Sequence, residues 1–250
     1  MKKIIEKFIT NYNRKKVPLI QLKAIIIHWT ANERKGANAL RHFDYFNHTK
    51  EQRKKANLRD IGKEIVTFGS AHYVVDSESI YQYIPDNEFA YHVGAKSYNA
   101  KVVYTKIGVP RGSSPNYYTI GIEMCVNSDG DFTKTRQNTI ELTHFLLKKY
   151  HLTADNVYRH FDITGKDCPK MMLDQKIWEQ FLTEVKNYSM NDVRYRVNVS
   201  ELNVRTGSAT SFPIKRKLRQ NETVVKIGEE GVWFKIGTDE WIHSNYVVQI

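Results

Sequence analysis

Four consecutive apolar residues, Ala24-Ile25-Ile26-Ile27, run directly into a histidine at position 28. A run without polar alternation predicts a strand buried on both faces, ending where His28 can reach a pocket. Further strands are predicted at 71–75, 79–84 and 119–126. Elsewhere the spacing lengthens to that of a helix. Leu142, Phe145, Leu146 and Tyr150 fall on one face of a segment over 134–150. Ile177, Trp178, Phe181, Leu182 and Val185 fall on one face of another, which Asp174 can cap. Strands interleaved with helices predict an α/β fold, a mixed central sheet flanked by helices. The charged stretch Lys50 to Lys63 reads as a loop or helical insertion over that core.

The texture changes after a short polar stretch at 188–193, which reads as a linker. Short strands then recur at 194–199, 202–205, 214–218, 223–227, 232–236 and 240–242, the pattern of a small all-β barrel. Two domains are therefore expected, 1–187 and 194–250. Trp233 is expected in the barrel core, whereas Trp241 is placed to line a ligand groove. No internal repeat is visible, so the barrel is a single copy.

Candidate chemistry concentrates in His160-Phe161-Asp162-Ile163-Thr164-Gly165-Lys166-Asp167-Cys168-Pro169, read as one turn-rich loop. Together with His28 it offers two histidines and a cysteine. Structural zinc sites close with four protein ligands, whereas hydrolytic ones keep a position open, so a set of three favours catalysis. Read alone, each residue has a plainer role: a strand-end histidine is more often a hydrogen-bonded core or surface group, and Cys168 could be a small buried residue. Lys166 lies two residues before Cys168, so in an extended segment its ammonium would stand beside the metal, where a cation stabilises an oxyanion. A loop lysine is otherwise simply solvated. Glu123 stands among apolar neighbours in Thr119-Ile120-Gly121-Ile122-Glu123-Met124, as a general base would, although alternation also allows a solvent-facing ion pair.

Composition narrows the partners. The 250 residues carry a formal net charge of +11, which favours a polyanion. No recognition helix, zinc-finger spacing or aromatic-studded basic sheet motif accompanies that charge, so nucleic acid is not the expected partner. Residues 191–250 hold nine basic and seven acidic side chains, so the excess sits mainly in the first domain. Anionic wall polymers of Gram-positive bacteria are an equally good electrostatic target. Two cysteines are too few for a disulfide framework, and Cys125 reads as a core thiol. Met1-Lys2-Lys3 begins like a signal segment, but Glu6 and Lys7 interrupt the apolar stretch one requires, and no run approaches a membrane span. Synthesis as a soluble cytosolic protein is expected.

Five blocks in order carry a family resemblance: His28-Trp29-Thr30-Ala31-Asn32, Ala71-His72-Tyr73-Val74-Val75-Asp76, Tyr91-His92-Val93-Gly94, Ile120-Gly121-Ile122-Glu123, and the loop 160–169. The chain resembles the zinc-dependent N-acetylmuramoyl-L-alanine amidases, phage endolysins and bacterial autolysins that share the peptidoglycan-recognition-protein fold. The resemblance implies one zinc ion on His28, His160 and Cys168, with Glu123 as general base and Lys166 as oxyanion stabiliser. It also implies that His92 borders the substrate groove, with His72 a further candidate for substrate binding. Some phage relatives place a catalytic tyrosine just before the histidine matching His72. Here that position is Ala71, which shifts the base role onto Glu123. Some relatives also use an aspartate where this chain has Cys168, and thiolate is an equally competent zinc ligand.

Leu202-Asn203-Val204-Arg205-Thr206-Gly207, Val232-Trp233-Phe234-Lys235-Ile236 and Trp241-Ile242-His243-Ser244-Asn245-Tyr246-Val247 resemble the bacterial SH3-like domains attached to wall hydrolases. The expectation is a two-domain peptidoglycan hydrolase that cleaves the N-acetylmuramic acid to L-alanine amide and is tethered to the wall by its barrel. The absence of a signal fits a phage lysin released through a separately made membrane hole. Two readings of other classes stay open, a non-catalytic peptidoglycan-recognition protein and a basic nucleic-acid-binding protein. Host, viral or chromosomal origin, stem-peptide specificity and oligomeric state are not legible.

Overall fold

The computed structural model describes residues 1–49, 51–52, 68–188 and 193–250. The predicted insertion at 50–63 thus lies almost wholly outside the described residues, as does most of the predicted linker at 188–193. Two compact units are present, Met1–Lys186 and Asn187–Ile250.

Among its described residues the first unit has six strands: β1 (Ile4–Glu6), β2 (Ala24–Trp29), β3 (Tyr73–Val75), β4 (Ile80–Gln82), β5 (Thr119–Met124) and β6 (Val157–Arg159). They form one mixed sheet in the order β1-β4-β3-β5-β2-β6, in which β3 and β4 are antiparallel and the other pairs parallel. The α/β architecture read from the sequence is the one observed. At its centre β2 is flanked by β5 and β6, and Ala24 through Ile27 are wholly buried, as an unbroken apolar run requires. One core gathers Ala24 and Ile26 with Val93, Val102, Val103 and Ile163; another gathers Val74 and Cys125 with Ile9, Phe43 and Ile84.

Among the described residues four α-helices accompany the sheet: α1 (Ala39–Phe46), α2 (Phe132–Lys149), α3 (His160–Thr164) and α4 (Gln175–Asn187). The Asp131 side chain caps α2 by accepting from Lys134 N. Leu142, Leu146 and Leu147 are buried in it, while Phe145 and Tyr150 are half-buried. Asp174 caps α4 by accepting from the backbone N–H groups of Lys176 and Ile177. Trp178, Phe181 and Val185 form the buried stripe. Ile177, expected on that stripe, is exposed, because it lies about 100° round the helix from Trp178.

Residues 160–169 are not a loop throughout, since they open with α3, whose five residues are too few to show a helical period. Arg159 holds this segment. Its guanidinium is 4% exposed, pairs with Asp162 at 2.8 Å, and donates to the carbonyls of Met172 (2.9 Å) and Leu173 (3.0 Å). Phe161 N donates to Cys168 O at 2.8 Å, closing the loop on α3. Lys166 to Cys168 is not extended either: Cys168 N donates to Lys166 O at 2.6 Å, a tight turn.

The second unit contains β7 (Val193–Val197), β8 (Glu201–Arg205), β9 (Ile214–Arg219), β10 (Thr223–Lys226), β11 (Gly228–Glu230), β12 (Trp233–Gly237), β13 (Glu240–His243) and β14 (Val247–Gln249). They form a three-stranded sheet, β10-β7-β14, and a five-stranded one, β11-β12-β13-β8-β9. Val197, Leu202, Val204, Leu218, Val224, Ile242 and Val247 make the core between short strands. Trp233 is buried, Trp241 is half-buried, and β11 and β14 are strands the pattern did not mark.

Because Arg159 ties Asp162 to the 172–173 backbone, Arg159→Ala should lower stability by about 3 kcal/mol, the cost of opening a buried pair. Hydrogen exchange across 160–173 should rise more than in α2. Equal protection in variant and parent would show that other contacts hold the loop.

Candidate active site

Strand register assembles the site. In the parallel pair β2–β5, His28 stands opposite Glu123, and in β2–β6, Ile27 stands opposite Arg159, so the next residue, His160, stands beside His28. Glu123, His28 and His160 thus line up at the carboxyl ends of three adjacent parallel strands, where α/β sheets place their ligands. Side chains alternate along a strand, so Ala24, Ile26 and His28 share a face with Thr119, Gly121 and Glu123 across the register. The loop after α3 returns Cys168 to the same point.

His28 Nδ1 lies 3.1 Å from His160 Nδ1 and 3.7 Å from Cys168 Sγ, and the three ligand atoms lie within 4.8 Å of one another. Tetrahedral zinc, with bonds of ~2.0 Å to nitrogen and ~2.3 Å to sulfur, needs ligand atoms roughly 3.3–3.6 Å apart, a separation that the two distances from His28 bracket, and two imidazoles with a thiol are donors that suit that ion. All three residues are buried, at 1%, 6% and 2% exposure. They open onto a cavity of 320 Å³ also lined by Glu123, Lys166, His92, Trp29, Phe68, Tyr91 and Asn116.

Residues 18–171 match the family profile described as N-acetylmuramoyl-L-alanine amidase. The chain belongs to that family. Residues 200–248 match the bacterial SH3 domain profile. A Bacillus licheniformis relative described as a probable N-acetylmuramoyl-L-alanine amidase is 36% identical over 68% of this chain and 43% of its own length. The N-acetylmuramoyl-L-alanine amidase CwlL of the same species is 32% identical over 92% of this chain and 56% of its own length. The chain therefore spans about half the length of the curated relatives it matches. The solved catalytic domain of XlyA, from Bacillus subtilis, is 30% identical with a TM-score of 0.55, covering 73% of this chain and 99% of that one.

In the amidase-family site, electrostatics favour a cation. Burial, then the neighbouring His160, His92 and Lys166, push His28 well below the usual imidazole range. Burial and Lys166 bring His160 down to about 4. Both rings are neutral at pH 7, with lone pairs to give. Burial, with Glu123 adding to it, pushes the Cys168 thiol up to about 12, although a hydrogen bond from the Trp29 backbone and the Lys166 charge oppose this. Only a bound cation would make thiolate the favoured form. Burial also raises Glu123 to about 8, against the pull of Lys166. Its Oε2 is enclosed and has no hydrogen-bond partner among the described residues, so a polar group entering the cavity would satisfy it.

His92 and His72 sit differently from one another. His92 lines the cavity, but both its nitrogens are engaged: Nδ1 is 3.0 Å from His28 Nε2, and Nε2 is 3.1 Å from Thr119 Oγ1. His72 is not brought to the cavity at all. It is fully buried, its Nδ1 accepts from Gly121 N at 3.0 Å and its Nε2 lies 2.8 Å from Glu88 O, so it clamps β5 rather than meeting a ligand. Asn116, not singled out in the sequence, accepts from the backbone N–H groups of His92 (3.2 Å) and Val93 (2.9 Å) and so fixes the His92 backbone. Phe68 and Tyr91 stack at 4.9 Å on the cavity rim. Tyr91 stands in the family block Tyr91-His92-Val93-Gly94, whereas Asn116 and Phe68 were not legible, because an asparagine or an aromatic between elements carries no periodic signal.

The raised Glu123 carboxyl has a stability consequence in metal-free protein. Below about pH 4 folded and unfolded chains are both protonated. Between the ordinary value of 4.5 and about 8 the unfolded chain loses the proton while the folded one keeps it, so stability falls as pH rises. Glu123→Gln removes that loss. Thermal melts of chelated protein should show parent and variant alike near pH 4, and the variant more stable by about 2–4 kcal/mol at pH 8. A pH-independent difference would refute the buried-carboxyl assignment.

Proposed function

We propose that the chain is a peptidoglycan hydrolase that cleaves the amide between N-acetylmuramic acid and the L-alanine of the stem peptide. One zinc ion would be held by His28, His160 and Cys168. The observation that carries the reading is the convergence, at the ends of adjacent strands, of three neutral or deprotonatable ligands with the Lys166 ammonium and the Glu123 carboxyl, whose Oε2 has no hydrogen-bond partner among the described residues. Zinc bound there would supply Lewis acidity, polarising the amide carbonyl and activating water.

The chain's own groups divide the remaining work. Glu123, its Oε2 open to the cavity, takes a proton from the attacking water and passes it to the departing amine. Lys166, exposed at the cavity mouth, balances the negative charge that develops on the carbonyl oxygen. Trp29 and the stacked Phe68 and Tyr91 offer flat apolar faces along which a glycan or stem peptide can lie. The partner is bacterial peptidoglycan with its anionic polymers, and the SH3-like segment holds the enzyme to that wall. Among the described residues no helix is long and apolar enough to cross a membrane.

Chelation should stop release of wall fragments, added zinc should restore it, and free L-alanine amino termini should appear without new reducing ends. Glycosidases would give the reducing ends instead, through paired carboxylates. Activity in demonstrably zinc-free protein would sink the zinc assignment, and amino termini other than alanine would sink the bond assignment. A stoichiometrically zinc-loaded chain that binds walls yet releases nothing would favour the non-catalytic recognition reading.

The proposed domain division, 1–187 and 194–250 joined at 188–193, has its own test. A chain ending at Tyr188 should hold zinc and cleave soluble muropeptides as fast as the whole protein, but lyse intact cells roughly 10-fold or more slowly, having lost the effective concentration that tethering supplies. Lysis of cells at full rate by the shortened chain would leave the barrel without a wall-binding role.

A further inference from the structure

A neutral imidazole presents one lone pair, at Nδ1 or at Nε2, and the other nitrogen carries the proton. Which form His28 adopts decides whether the nitrogen facing His160 and Cys168 can be a ligand. The hydrogen bonds behind it settle the matter when followed from their far end. The Pro115 carbonyl can only accept, and Thr119 Oγ1 donates to it at 2.9 Å. With its proton so used, Thr119 Oγ1 is left to accept from His92 Nε2 at 3.1 Å. The Thr119 carbonyl, 3.3 Å from the same nitrogen, is likewise only an acceptor. His92 Nε2 therefore bears the ring proton. The ring is buried and its hydrogen-bond partners among the described residues, His28 and Thr119, include no carboxylate to balance a second proton, so its Nδ1 accepts. His28 Nε2, 3.0 Å away, must donate to it, which leaves the lone pair on Nδ1.

We propose that Thr119 and His92 are positioning residues that lock His28 as the Nε2–H tautomer, turning its Nδ1 lone pair toward His160 Nδ1 and Cys168 Sγ. The inference rests on the zinc reading given above for what that lone pair holds, but the tautomer itself belongs to the metal-free chain. The backbone makes room for this arrangement. A Cβ at Gly121 would stand 2.7 Å from His92 Cγ and Nδ1, so glycine is what lets the ring lie flat on β5 between Thr119 and Glu123. Asn116 holds the other end by accepting from His92 N. Partners behind a metal-bound histidine are usually carboxylates, backbone carbonyls or water. An imidazole orients His28 without adding a negative charge.

The test uses the full chain. With ¹⁵N-labelled histidine and no metal, near pH 7.5, His28 should show a protonated Nε2 and a lone-pair Nδ1. Zinc affinity, measured by competition with a chromophoric chelator, should fall roughly 10- to 100-fold in His92→Phe, which fills the space without accepting. His92→Gln should stay within a few-fold of the parent, because its amide can accept from His28 and donate to Thr119. Thr119→Val, which leaves the ring in place, should give a smaller loss and a mixture of His28 tautomers. A proton on His28 Nδ1 in the parent, or equal zinc affinity in His92→Phe, would overturn the inference. A parent that binds no zinc but shows the Nε2–H tautomer would overturn the zinc reading and leave this one standing.

Discussion

The active site depends on the register of three parallel strands. Parallel neighbours lie about 4.8 Å apart and advance in step, so residues at matched positions present side chains side by side. Here the matched positions are Glu123, His28 and the first residue after β6, His160. A slip of one residue in β2 would turn His28 to the opposite face and put an isoleucine or a tryptophan in its place. The wholly buried Ala24–Ile27 run resists that slip, because both faces of β2 are packed. Hydrophobic burial thus sets the catalytic geometry, although none of those apolar residues touches the cavity.

That burial has an electrostatic cost, which falls on the same four groups. Two imidazoles are held neutral, a thiol is held protonated and a carboxyl is held well above its usual range. Burial is the largest cause of each of these shifts, and Lys166 at the rim is the cation that acts on all four groups. A dication among them would reverse the sign for the thiol and the carboxyl at once. Metal binding at the proposed site would therefore be linked to folding and ionisation, with affinity rising with pH as Cys168 gives up its proton.

Most of this was legible in Thr119-Ile120-Gly121-Ile122-Glu123. The apolar residues at 120 and 122 mark the buried face, and the odd positions between them mark the face that carries chemistry. The five family blocks then identified His28, His160 and Cys168 as a set. What the sequence did not disclose depends on contacts between distant segments. The family resemblance offered His72 as a further candidate for substrate binding, yet its ring is spent on the Gly121 N–H and the Glu88 carbonyl. Arg159, the anchor of the Cys168 loop, bonds backbone carbonyls 13 and 14 residues away, which no local pattern records. The three-residue strands β1 and β6 and the five-residue α3 are shorter than the window in which a period can be recognised.

The identity of the partner behind His28 also bears on the charge that a substrate would meet. With Cys168 as thiolate, Glu123 ionised and Lys166 protonated, the chain brings a net charge of about −1 to the cavity, and a dication would bring the total to about +1. A neutral imidazole at 92 leaves that surplus intact, whereas a carboxylate in its place would cancel it. In the proposed reaction that surplus would face the point where the amide carbonyl acquires negative charge, in an enclosure where such charge is poorly screened. Glycine at 121 thus bears on the electrostatics as the charged residues do, because without the space it leaves, the neutral ring could not lie against the strand that carries Glu123.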